Sequence, residues 1–160
     1  MDKEALMKKL LGSVIAILSL GMMNVYAADE SFQASIRILT ALSITEQSAL
    51  SFPDTEASAS AQNVVIAPTG TGAAVFNIAG EASRPVTASI VQSNLQITNG
   101  STTVTIGSFT FGGGLSSSGT GTLNGSGQLT GAGVGATAAI PANPQAGVYS
   151  GSLTFRVVYN

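Results

Sequence analysis

The sequence predicts an all-β protein built as a sandwich or a barrel. Three observations carry that expectation. Beyond residue 30, apolar residues recur at a spacing of two, and no stretch has the 3.6-residue period of a helix. Ser, Thr, Gly, Val and Ala dominate the same region. Turn formers punctuate it at Pro53-Asp54, Pro68-Thr69-Gly70, Gly80, Asn99-Gly100 and from Pro141 to Pro144. Many short alternating runs separated by such signals bury one face of a sheet each, and the stable solutions are two packed sheets or one closed on itself.

Taken in order, the chain opens with Lys8-Lys9, an apolar run from Leu10 to Met23, and the small-residue site Val25-Tyr26-Ala27. This arrangement reads as a secretory signal peptide, residues 1–27, cleaved after Ala27. The apolar run is about 14 residues, short of the roughly 20 that span a bilayer. Residues 28–160 then form one domain. Strands are expected near 33–44, 48–52, 62–67, 73–78, 85–91, 94–98, 102–111, 120–124, 134–140 and 147–159. Asn99-Gly100, between Leu95-Gln96-Ile97-Thr98 and Thr103-Val104-Thr105-Ile106, reads as a hairpin turn. Residues 112–135 hold ten glycines among 24 positions and read as a flexible connection of weak strand character.

Composition closes several function classes. The chain contains no Cys and no His. Ser-His-Asp and Cys-His nucleophilic sites and the common zinc sites therefore lack their residues. Asp54 and Glu56 sit two apart in a turn-like stretch, without the dense oxygen-ligand spacing of a calcium loop. The glycines are not followed by Gly-Lys-Ser or Gly-Lys-Thr, so no phosphate loop is present. No catalytic, cofactor or metal site is assigned, and no small-molecule substrate. Three Arg (37, 84, 156) stand against six acidic residues in 28–160, a net charge of −3, which does not suit nucleic acid. Six Phe and three Tyr are few for the aromatic girdles of an outer-membrane barrel. Asn99-Gly100-Ser101 and Asn124-Gly125-Ser126 match the glycan acceptor triplet, a weak signal beside their value as turns.

The two ends of the mature chain form a pair. Phe32, Ala34, Ile36 and Ile38 alternate with Gln33, Ser35, Arg37 and Leu39. Leu153, Phe155, Val157 and Tyr159 alternate with Thr154, Arg156 and Val158. Such ends suit either the first and last strands of a closed domain or a subunit that joins its neighbour by strand exchange.

Ile36-Arg37-Ile38-Leu39-Thr40-Ala41-Leu42-Ser43-Ile44-Thr45, followed by Ala49-Leu50-Ser51-Phe52, resembles the opening of bacterial secreted domains catalogued as domain of unknown function 4402 (DUF4402). The ending from Ala146 to Asn160 resembles their close: a Gly-x-Tyr-x-Gly turn at Gly147-Val148-Tyr149-Ser150-Gly151, an alternating strand and a tyrosine near the terminus. It is also similar to alpha-class fimbrial major subunits, and the group as a whole resembles chaperone–usher pilins. The disulfide pair of many type 1 pilins is missing, so the likeness is to the broader group.

The resemblance implies an immunoglobulin-like β-sandwich lacking one strand and completed by donor-strand exchange. It implies a fimbrial subunit, exported through the periplasm to the cell surface, that supports adhesion or biofilm formation. Its partners would be neighbouring copies, a periplasmic chaperone and an outer-membrane usher. Phe32, Ala34, Ile36 and Ile38, within residues 28–38, match the donor-strand positions. Leu153, Phe155, Val157 and Tyr159 match the edge strand read by the chaperone. The alternative is a stand-alone secreted binding module or tip adhesin with a complete sandwich.

Overall fold

The structure is a computed structural model in which residues 27–160 are described. Except for Ala27, the expected signal peptide lies outside them. The chain divides into two compact units, up to Arg37 and from Ile38 onward. Residues 27–37 carry no regular secondary structure, and their side chains are exposed. The expected strand over 33–44 begins only at Ser43: an alternating run becomes a strand only where a second backbone pairs with it.

The second unit is all-β. Its strands are β1 (Ser43–Ser48), β2 (Gln62–Ile66), β3 (Ala74–Ala79), β4 (Pro85–Ile90), β5 (Leu95–Asn99), β6 (Thr102–Gly113), β7 (Thr120–Thr122), β8 (Gln128–Ile140) and β9 (Phe155–Tyr159). The larger sheet runs β1-β3-β8-β6-β5, and the smaller one β7-β4-β9. Strand β8 organises the larger sheet: β3 and β2 pair end to end along one edge, β6 along the other. All pairings are antiparallel. The order β1-β3-β8-β6 opposite β4-β9 is the A-B-E-D against C-F arrangement of an immunoglobulin-type sandwich. Strand G, which would flank F, has no counterpart among the described residues.

Local chemistry explains several of these elements. The β5–β6 hairpin pairs Asn99 with Thr102, so its two-residue loop is Gly100-Ser101, one residue later than the sequence suggests. Gly100 has φ +60°, the left-handed value a tight hairpin needs at its first loop position. The glycine-rich stretch is ordered: it supplies the end of β6, all of β7 and the first half of β8. Gly133 and Gly135 are buried there because the backbone of Ile66 and Pro68 occupies the space a Cβ would need. They allow close packing, where flexibility was expected. Asn124 of the second glycan-like triplet spends its side-chain oxygen on the amides of Ser126 and Gln128, closing the β7–β8 turn at 2.9 Å each.

The core has two parts. In the first, Ile78, Leu129 and Ala132 of the larger sheet pack against Val86, Ala88 and Leu123, with Phe155, Val157 and Tyr159 of β9 closing over them. The second is built on Ile97, Val104, Ile106, Ala136 and Ala138 of the larger sheet alone. Non-strand segments cover it, through Leu50, Phe52, Tyr149 and Leu153. The sandwich is therefore closed at one end and loosely roofed at the other.

Candidate functional site: a groove beside β1 and β9

Strand β9 pairs with β4 along one edge, and β1 with β3 along one edge. Among the described residues, neither has a strand on its other edge. Beside them lies a groove of about 1170 Å³, to which β1 contributes Ile44 and Glu46 and β9 contributes Phe155. Its floor is the loosely roofed half of the core, including Val64, Val104, Ile106 and Ala138. One rim is β1 with the extended segment 49–57; the other is segment 144–154 leading into β9.

At the boundary with the closed half, Phe76 of β3 and Phe155 of β9 stack with ring centroids 4.2 Å apart and planes 5° from parallel. Alternation along β1 directs Ile44 and Glu46 into the groove, while Ser43, Thr45 and Gln47 line a separate depression. The charged residues lining the groove are all acidic: Glu46, Asp54 and Glu56.

The two ends of the groove differ. One end closes at Ile44 and Phe155; beyond it, outside the groove, β9 finishes at Tyr159, whose phenol donates to the Thr40 carbonyl at 2.7 Å and accepts from the Glu81 amide at 2.6 Å. Thr40 donates its amide and hydroxyl to the Glu81 carboxylate, at 3.2 and 2.9 Å. These bonds fix the point where the chain enters the sandwich, and the groove end nearest to it, at Ile44 and Phe155, is hereafter the root end. Just past the far end Asn143 donates its amide to the Ser58 carbonyl at 2.7 Å, joining the chain where the two rim segments meet their neighbours. Asp54 and Glu56 line the rim toward that end: the Glu56 carbonyl accepts from Gln62 at 3.2 Å, and Gln62 pairs with Ile140.

The alternation expected at the C-terminus is present. Leu153, Phe155, Val157 and Tyr159 are half-buried and face the core, while Thr154, Arg156 and Val158 are exposed. Regular pairing covers only Phe155–Tyr159 of the expected 147–159. Of the N-terminal positions, Phe32, Ile36 and Ile38 are 86–90% exposed and Ala34 is also exposed. Three large apolar side chains in seven residues lie open to water, an unusual display for so short a segment. The groove itself was not read from the sequence, since it depends on which strand edges remain without a neighbour. Among the described residues, no group of three or more His, Cys, Asp or Glu comes together.

The family model of the domain of unknown function DUF4402 matches residues 42–159. The chain belongs to the DUF4402 family. The match spans the whole DUF4402 sandwich from just before β1 to the end of β9, groove included. No curated protein and no solved structure gives a significant match.

Proposed function

We propose that this DUF4402 domain is the structural subunit of a surface fibre, in which residues 28–38 of one copy fill the groove of the next. The observation that carries this reading is an open groove that reaches two strands with an unpaired edge, β1 at Ile44 and Glu46 and β9 at Phe155, on the side where an immunoglobulin sandwich carries strand G. An incoming strand would gain main-chain hydrogen bonds from β9 and apolar contacts from the floor, the two ingredients of β-augmentation. Phe32, Ala34, Ile36 and Ile38 supply an apolar face of matching period. Burying each large side chain among them contributes about 1.5–3 kcal/mol before the cost of ordering the arm.

The same open edge explains the need for partners. An unpaired strand beside an apolar groove is an aggregation hazard. Before assembly, a periplasmic chaperone would cover β9 through Leu153, Phe155, Val157 and Tyr159, and an outer-membrane usher would replace it with a neighbour's arm. The subunit would thus be exported through the periplasm to the cell surface, where its fibre supports adhesion or biofilm formation.

Ile36→Asp tests the donor role without touching the sandwich. Polymer growth, followed by light scattering, is expected to stop while the chaperone complex still forms. Growth at the native rate would remove residues 28–38 from the joint and favour a stand-alone module whose groove holds another ligand.

A further inference from the structure

We propose that the acidic residues at the far end of the groove, Asp54 and Glu56, receive Arg37 of the incoming arm and so set the direction and stopping point of its insertion. This rests on the fibre reading above. Two independent observations lead to it.

The first is charge. The arm, residues 28–38, has Asp29 and Glu30 near one end and its single basic residue, Arg37, at the other. The groove residues that carry charge are all acidic, and two of the three lie at the far end. An arm inserted with its residue 38 at the far end brings Arg37 to Asp54 and Glu56 and carries Asp29 and Glu30 away from them. The reverse insertion brings like charges together, which opposes that docking mode. Arg37 lies on the face of the arm opposite Phe32, Ala34, Ile36 and Ile38, so it meets the exposed rim when the apolar face meets the floor.

The second is connectivity. Each copy's own chain enters its sandwich at the root end, where Tyr159 and Glu81 hold Thr40. A neighbour whose arm also left the groove at the root end would crowd that entry point. A neighbour whose arm leaves at the far end stacks beyond it, and the copies continue head to tail. That polarity runs the arm antiparallel to β9, again placing Arg37 beside Asp54 and Glu56. The arm's 11 residues extend about 36 Å at roughly 3.3 Å per residue, enough to follow the free edge of β9 from Tyr159 to Phe155 and continue along the groove rim past Leu153.

Exposed charge pairs of this kind act mainly on encounter and register, so assembly rate at low ionic strength is the sensitive readout. In full-length chain exported and purified with its chaperone, Arg37→Glu is expected to slow polymer growth about tenfold at low salt. The double change Asp54→Arg with Glu56→Arg should slow it similarly. Combining all three should restore near-native growth, and high salt should erase the differences. Native growth in Arg37→Glu, or no rescue in the triple variant, overturns the proposal. Deleting residues 28–38 separates the two levels: if that deletion leaves growth intact the fibre reading itself is wrong, and the inference falls with it.

The chain has no Cys, so polarity can be read directly. Arg37→Cys in one copy mixed with Glu56→Cys in another should give a disulfide-linked pair. Crosslinking of Arg37→Cys to Ile44→Cys at the root end instead would contradict the assigned direction.

Discussion

Tyr159 is the residue that binds the most distant parts of the chain. Its hydroxyl bridges the Thr40 carbonyl and the Glu81 amide while its ring packs on the closed core. Tyr159→Phe keeps the ring and leaves both backbone groups without that partner. The expected loss is about 1–3 kcal/mol of unfolding free energy in a urea titration, with faster amide exchange at Glu81. Unchanged stability and exchange would mean that water replaces the hydroxyl at no cost. Glu46 makes the opposite case. It lines the groove from β1 as an exposed residue, two positions from Ile44 and paired in register with Phe76, and a docked strand would strip it of water. Glu46→Gln should therefore tighten binding of a 28–38 peptide, by about threefold or more in a fluorescence titration. Equal or weaker binding would place Glu46 outside the contact.

At the scale of elements, the sequence made some strands plain and hid others for physical reasons. The β5–β6 hairpin was legible because a glycine with positive φ leaves an unmistakable local mark. The first half of β8 was hidden because Gly131, Gly133 and Gly135 look like flexibility, yet the last two are buried under the Ile66–Pro68 backbone. The run 33–42 looked like a strand because its alternation is real, but pairing depends on a partner that alternation cannot specify. The rims of the groove are the same problem in reverse. Segments 49–57 and 144–154 line an apolar floor and are not strands. Adding the 28–38 peptide should convert the part of them beside β9 and β1 into paired backbone. Hydrogen exchange would then slow at Leu50–Phe52 and Leu153–Val157. Slowing confined to other regions would place the peptide elsewhere.

At the scale of the whole molecule, the core has two parts that differ in how well they are closed. The closed half packs sheet on sheet around Ile78, Val86 and Leu123, which are almost fully buried. The other half rests its apolar floor under loops and a groove of about 1170 Å³. In the fibre reading proposed above, the closed half holds the fold together while the open half receives a second chain. This division was not legible from composition or alternation, which mark apolar faces without saying which of them remain open. The most direct test of that central claim is size-exclusion chromatography with light scattering on residues 28–160, native and with residues 28–40 repeated after Asn160 through a flexible linker. The native chain should polymerise or aggregate, and the linked chain should elute as a stable monomer. Two equally stable monomers would contradict the account, because the sandwich would then be complete without a borrowed strand.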